Sequence, residues 1–320
     1  MGLPPSSAEI RVGSALVGVV ITVLCLAAAC GSNQTQPQNG NADASPPAGL
    51  PRTSVAPASG APTSAARPAT TPDPVGTAAP SPSRSGTACA SAPPGLVGDR
   101  HHAFAFAPLD DPDDVTVEGS VTSAAAWSTS KILVVAAYLD TAVHREPDRI
   151  DATTRRLIDA ALTRSDGAAV VAVRSRIRGR PGAAMTSVLR AIGDSTTVAP
   201  EQAQGNMTWS LREQVRFMAA LAAGKVVSPA ASSFLLNSMH PIKEHAWGLG
   251  TIGAQSYKGG WLRADTVTRQ LGIVGHYAVA IITDAGPVVL QSDGDSAHVR
   301  EITAVAGLLH RRLAYEKTCR

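Results

Sequence analysis

The alternation of apolar and polar positions predicts strands at both ends of the C-terminal two thirds of the chain. Two segments, HAFAFAPL (102–109) and DVTVEGS (114–120), are typical of strands, and DDPDD between them predicts a turn. Three later segments predict a second group of strands: QSYKGGWL, DTVTRQLGIV and HYAVAIITD, with GPVVLQS as a candidate addition to the last. The segment DSAHVREITAVAGLLHRRLAYEK then predicts a long closing helix.

Helical patterns fill the middle of this region. The segment STSKILVVAAYLD is apolar on all sides, which predicts a buried central helix with Ser128 near its N-cap. Five more helices are predicted: ATTRRLIDAALTRSD, GAAVVAVRSRIR, AAMTSVLRAI, WSLREQVRFMAALAAG and SPAASSFLLNSM. The fold class expected from this order is α/β (α+β). An antiparallel sheet would be built from both chain ends, with helices on both faces and an inserted all-helical part.

The N-terminal 30 residues have the pattern of a secretory signal. Arg11 precedes an apolar stretch that ends in small residues and Cys30. The ending AAAC-GS resembles a bacterial lipobox, although Ala27 stands where such boxes usually have Leu. We therefore predict that Cys30 is lipidated and that the chain contacts the membrane through this anchor. The alternative is an uncleaved anchor over residues 12–30. Both place the rest of the chain on the outer face of the cell membrane.

Residues 31–88 are rich in Pro, Ala, Ser, Thr and Gly, and they are predicted to form a disordered tether because they cannot bury enough apolar surface to fold. Residues 89–320 are then one folded domain. Its cysteines are Cys89 and Cys319, one at each end. In an oxidising compartment such a pair favours a disulfide, and the alternative is two free thiols.

Composition narrows the possible partners of the protein. The net charge of +3 over 320 residues, without a long basic run, gives no indication of nucleic-acid binding. No interface helix is evident, so we expect a monomer. No metal-ligand pattern is present, and we expect neither a metal nor a cofactor. The excess of arginine over lysine indicates a GC-rich genome, such as an actinobacterial one.

Lys131 is unusual because the chain has only five lysines and this one lies in an apolar run. Ser128 is three residues earlier, so the two side chains share one face of the predicted helix. Burial disfavours the charged ammonium and lowers the pKa of a lysine. A neutral amine beside a hydroxyl is a general base beside a nucleophile. The alternative is a surface lysine that extends to solvent.

Two later motifs add to this pair. TRSDG contains Ser165 between two predicted helices, and YKGGW contains Lys258 on a predicted strand. With S-x-x-K at Ser128, the series resembles the S-x-x-K, S-D-N and K-T-G motifs of class A β-lactamases and penicillin-binding proteins. The resemblance covers residues 100–320, including the order of strands and helices, and implies the same fold.

The resemblance also implies a role for each matching position. Ser128 is expected to attack an acyl carbonyl and Lys131 to accept its proton. Ser165 would relay a proton to the leaving group, and Lys258 would hold the substrate carboxylate. The backbone N–H groups of Ser128 and Trp261 would form the oxyanion hole. Gly259 and Gly260, on the same strand, would contact the substrate.

Three positions depart from the family pattern. Gly167 stands where the family usually has Asn, and Gly259 stands where it usually has a hydroxyl residue. The family's E-x-x-L-N element, whose Glu activates the deacylating water, is absent as such. Glu201 lies in the right region and is a weak candidate for that base, but a solvated loop carboxylate is the simpler interpretation.

The sequence therefore predicts a cell-envelope serine acyl-enzyme that acts on an amide or ester, either a peptidoglycan stem peptide or a β-lactam, with poor deacylation. The alternative is a catalytically impaired lipoprotein that keeps the fold and acts as an envelope binding or structural protein.

Overall fold

The computed structural model describes residues 95–96, 99–263, 265–284 and 297–319. Cys30, Cys89, the tether and the GPVVLQS segment lie outside the described residues. Lipidation, the Cys89–Cys319 disulfide and the domain boundaries therefore stay predictions. No helix within the described ranges is long and apolar enough to cross a membrane.

A five-stranded antiparallel sheet forms the centre of the fold, in the order β2-β1-β7-β6-β5. Its strands are β1 (His102–Pro108), β2 (Thr116–Gly119), β5 (Ala254–Trp261), β6 (Val267–Val274) and β7 (Tyr277–Asp284). A two-stranded ribbon pairs β3 (Ser123–Ala125) with β4 (Thr208–Ser210). As predicted, strands from both ends of the folded region share one sheet.

The described residues form seven helices, and helices pack on both faces of the sheet. They are α1 (Lys131–Thr141), α2 (Ala152–Thr163), α3 (Gly167–Arg174), α4 (Pro181–Ala191), α5 (Leu211–Ala222), α6 (Pro229–Ser238) and α7 (Ala297–Cys319). The alternation along β1 shows why two layers form. Ala103, Ala105 and Ala107 join the core of α1–α6, whereas Phe104 and Phe106 join the core of α7. The predicted fold class is confirmed.

Ser128 lies near the N-cap of the central helix, as predicted, and is two residues before it. Ser128 belongs to a 3₁₀ helix, Trp127–Ser130, and α1 begins only at Lys131, with Ser130 as its N-cap. Trp127 has a positive φ of 44°, so the chain turns sharply between β3 and this 3₁₀ helix. The tighter 3₁₀ geometry places residues i and i+3 directly above one another, which brings Ser128 onto Lys131.

Candidate active site

Three separate chain segments meet at one end of the sheet. They are the junction between the 3₁₀ helix and α1, the loop between α2 and α3, and the edge strand β5. Lys131 Nζ lies 2.6 Å from Ser128 Oγ, 2.6 Å from the Ser165 carbonyl oxygen and 3.3 Å from Ser165 Oγ. Lys258 Nζ donates to Ser165 Oγ at 2.8 Å and to the Gly259 carbonyl at 2.8 Å. The four side chains singled out in the sequence thus form one connected group.

Ser165 bridges the two lysines because of its backbone conformation. It has a φ of +59°, in the left-handed region that residues other than glycine rarely adopt. The next residue, Asp166, is the N-cap of α3 and accepts a hydrogen bond from Ala169 N at 2.8 Å. This cap fixes the start of α3, so the strained residue before it presents both its hydroxyl and its carbonyl to Lys131.

Both lysines are removed from water. Lys131 is 5% exposed and Lys258 is 2% exposed. Burial lowers the pKa of Lys131 from 10.5 to about 8, and the nearby Asp166 carboxylate opposes part of this shift. Burial, and then the Lys131 charge, hold the pKa of Lys258 well below its usual value. Within the part of the chain that the structure describes, no acidic side chain forms an ion pair with either lysine.

Strand β5 approaches the nucleophile so closely that only glycine fits at residue 260. A Cβ atom at Gly260 would lie 2.8 Å from the Ala126 carbonyl, 2.8 Å from Thr129 N and 3.0 Å from Ser128 N. All three contacts are to backbone, which cannot rotate aside. The backbone N–H of Ser128, one of the predicted oxyanion donors, is therefore held against the strand that carries Trp261.

The glycine at position 259 has a different explanation. A Cβ atom there would lie 3.0 Å from the ring of Trp261 and 3.6 Å from the ring of Trp247. These indoles pack edge to face, with ring centroids 5.2 Å apart. The place where the family has a hydroxyl is thus bordered by aromatic carbon. At Gly167 the neighbourhood is open, since no atom lies within 4 Å of the position a Cβ would take.

Ser128 opens into a cleft of about 420 Å³. Its walls combine the motif residues with side chains that the motifs did not identify. The lining includes Trp127, Val170, Val171, Arg174, Gln204 and Leu262. Sequence reasoning missed Arg174 and Gln204. The helical spacing of 167, 170, 171 and 174 is the signal that places the first of these on the same face as the S-D-G motif.

Glu201, the weak candidate for the deacylation base, is directed elsewhere. Its carboxylate accepts a hydrogen bond from Gly182 N at 3.0 Å, in the first turn of α4, and pairs with Arg180 at 3.1 Å. The loop that follows Glu201, residues Gln202 to Gly205, lines the cleft instead. The structure brings Ser128, Lys131, Ser165 and Lys258 together and leaves Glu201 outside this group.

The fold is similar to that of solved class A β-lactamases and of a protein named PBP-A. A structure of PBP-A has a TM-score of 0.52 and 19% identity, over 69% of this chain and 93% of that one. A mutant of the chromosome-encoded β-lactamase of Vibrio parahaemolyticus has a TM-score of 0.51 and 16% identity, over 68% and 95%. A mutant of PBP-A in acyl-enzyme complex with penicillin G has a TM-score of 0.51 and 20% identity, over 68% and 90%.

No protein-family model and no curated protein matches the sequence. At identities this low, the structural likeness shows the fold and nothing finer.

Proposed function

We propose that this protein is a serine acyl-enzyme that takes the acyl group of an amide or ester onto Ser128 and releases it slowly. The observation that carries the proposal is the 2.6 Å contact between Ser128 Oγ and a buried Lys131 whose pKa is lowered to about 8. At neutral pH a useful fraction of such an amine is unprotonated, which is what a general base needs.

The contacts of Lys131 suit the neutral amine. A neutral amine has two N–H bonds and one lone pair. The two N–H bonds have acceptors in the carbonyl oxygen and the hydroxyl of Ser165. The lone pair is then left for the Ser128 hydroxyl, which donates its proton as its oxygen attacks the substrate carbonyl. The backbone N–H groups of Ser128 and Trp261 are the proposed donors to the resulting oxyanion, each worth about 10²–10³ in rate.

The leaving group needs a proton, and Ser165 Oγ is positioned to supply it. It lies between Lys131 Nζ, which has just gained a proton, and Lys258 Nζ, which donates to it. A proton passed from Lys131 to Ser165, and from Ser165 to the departing nitrogen or oxygen, returns the amine to its neutral form. Lys258 keeps the Ser165 hydroxyl oriented through the hydrogen bond that it donates to Ser165 Oγ.

Deacylation lacks an equivalent base. The Glu201 carboxylate is engaged by Gly182 N and Arg180, and the next residues along the chain with polar side chains in the cleft lining are the uncharged amides Gln202 and Gln204. Among the described residues that line the cleft there is no carboxylate to activate a water molecule that enters after acylation. We therefore expect a long-lived acyl-enzyme, more like a penicillin-binding protein than a resistance enzyme.

The place of action proposed is the outer face of the cell membrane. The signal pattern ending at Cys30 and the Pro-rich tether support a bacterial lipoprotein whose folded domain reaches into the cell wall. A peptidoglycan stem peptide is the substrate that such a location offers.

The alternative function is an envelope binding or structural protein that keeps the fold without the reaction. Gly167 and Gly259 favour it, because each lacks a side chain that would contact the substrate, and aromatic carbon borders the second position. A single experiment separates the two functions.

The test is intact mass spectrometry of the full-length protein, in mild detergent, after incubation with benzylpenicillin. We expect a stable gain of one penicillin mass, which Ser128→Ala abolishes and which Ser187→Ala, at an exposed serine of α4, leaves unchanged. The absence of any adduct at millimolar penicillin would overturn acylation and favour the binding protein. Continued hydrolysis of nitrocefin beyond one equivalent would contradict slow deacylation and require a base that acts in the cleft.

A further inference from the structure

One wall of the cleft is a single face of α3. Gly167, Val170, Val171 and Arg174 follow the i, i+3, i+4, i+7 spacing, and all four line the cleft that contains Ser128. Gly167 is at the Ser165 end of this wall. Arg174 lies seven residues further along, a distance of about 10 Å at 1.5 Å per residue. The cleft therefore extends along the helix, well beyond the atoms that react.

The cation at the far end of this wall is held by a neutral side chain. Arg174 Nη1 donates to Gln204 Oε1 at 2.8 Å, and Gln204 is 8% exposed. No ion pair joins Arg174 to any carboxylate in the described ranges. The guanidinium is thus oriented by a buried neutral amide and keeps its remaining N–H donors for another acceptor. This side chain brings a positive charge and a planar set of N–H donors to the cleft.

Apolar surface separates that charge from the reacting group. Val171 is 52% exposed and Leu262 is 46% exposed, two of the three large apolar side chains that are exposed in the described structure. Both line this cleft. Exposed apolar side chains grouped at one cleft are typical of a ligand-binding surface. The ligand that fits has an apolar segment and then an anion.

We propose that the acyl half of the substrate ends in a carboxylate, which Arg174 binds, with an apolar segment lying against Val170, Val171 and Leu262. The carboxylate lies about 10 Å along α3 from the Ser165 end of the cleft. This assignment rests on the proposed function, because it takes the acyl group to be the part that remains on Ser128. Arg174 is then a specificity-determining residue, and Gln204 is a positioning residue that acts through it.

The first test measures binding without chemistry. The full-length Ser128→Ala protein is titrated with N-methyl suberamate, which ends in a carboxylate, and with the same compound ending in a primary amide. Calorimetry gives the two dissociation constants. We expect the carboxylate to bind at least about tenfold more tightly, because a charge-assisted hydrogen bond to guanidinium replaces a neutral one.

Arg174→Gln in the same background should bring this ratio to about one. Arg156→Gln, at an exposed arginine of α2, removes the same charge from the protein and should leave the ratio at its original value. Arg174→Lys should restore part of the preference. Equal affinities in the parent protein, a preference that survives Arg174→Gln, or no binding of either compound at millimolar concentration would each overturn the assignment.

The second test separates this inference from the proposed function. Two p-nitrophenyl esters of the same chain length, mono-p-nitrophenyl suberate with a free carboxylate and p-nitrophenyl suberamate with a primary amide, are mixed with protein that retains Ser128. The release of p-nitrophenol leaves the acyl group on Ser128, and this adduct is followed by intact mass. Faster acylation by the ester that ends in a carboxylate supports both the acyl-enzyme and the carboxylate site at Arg174. A binding preference that depends on Arg174, without any adduct on Ser128, would overturn the acyl-enzyme and leave the carboxylate site standing. Adducts that form at equal rates would overturn the carboxylate site alone.

Discussion

In the described part of the chain, the candidate site and strand β6 each bury a basic side chain that has no ion pair with a carboxylate, and the two differ in what surrounds that side chain. At the cleft, Lys131 and Lys258 contact the hydroxyls of Ser128 and Ser165. In β6, Arg269 is fully buried and donates to three backbone carbonyls, those of Ala124, Ala125 and Trp209, at 2.6 to 2.9 Å. Burial lowers the pKa of Arg269 to about 9 and that of Lys131 to about 8.

The comparison teaches that burial and a lowered pKa do not by themselves make a reactive group. Carbonyl oxygens only accept hydrogen bonds, so the partners of Arg269 cannot exchange a proton with it. The carbonyls that accept from Arg269 belong to β3 and β4. Ala125, in β3, lies just before the turn that leads to Ser128. Hydroxyls both donate and accept, and Ser128, beside Lys131, lines the cleft. The arginine holds the ribbon in place, and the lysines can move protons.

Replacing Lys131 should produce the largest effect on activity. In Lys131→Met the rate of acylation is expected to fall by at least about 10³, because the Ser128 hydroxyl loses its base. Stability should stay the same or rise, since a methionine costs less to bury than an amine. The rate of adduct formation and chemical denaturation, followed by tryptophan fluorescence, measure both quantities. Lys225→Met, at an exposed lysine, serves as the control that changes neither.

Replacing Arg269 should lower the stability of the fold, whereas replacing Lys131 should lower the rate of acylation. Arg269→Met leaves three buried carbonyls without their donor, and we expect the free energy of unfolding to fall by about 3 kcal/mol. Denaturant titration measures the change, and Arg156→Met on exposed α2 should alter stability by less than about 0.5 kcal/mol. An Arg269→Met protein as stable as the parent would show that the ribbon does not depend on this side chain and would remove the basis of the comparison.

The contacts of Arg269 also show where prediction of the fold from the sequence ends. The sheet strands and all seven helices could be predicted, because each has its own periodicity and buries a continuous face. The β3–β4 ribbon could not. It has three residues per strand, two of them alanines in β3, and it is joined to the sheet by Arg269, about 145 residues further along the chain. Local propensity contains no information about such a contact.

The candidate site, too, could be predicted from the sequence only in part. Ser128, Lys131, Ser165 and Lys258 could be predicted to meet, because three motifs occur in a familiar order. The packing of Trp261 and Trp247 against Gly259, and the pairing of Arg174 with Gln204, depend on how loops and side chains pack. The 3₁₀ turn that precedes α1 could not be predicted either, because the hydroxyl residues at 128 and 130 both suit the position before a helix.

The pH dependence of acylation is the smallest of the expected effects, and it tests most directly whether neutral Lys131 is the base. If neutral Lys131 is the base, the rate should rise nearly tenfold between about pH 6 and 7 and level off above about pH 8 to 9.

Asp166→Asn keeps the N-cap of α3, because an amide oxygen also accepts from Ala169 N, but removes the charge that raises the pKa of Lys131. The inflection should then move to lower pH. Asp151→Asn, the matching N-cap substitution at α2, should leave the inflection in place. A tenfold rise per unit that continues through pH 10 would show a lysine of ordinary pKa, and Lys131 would then resemble a buried structural cation rather than a base.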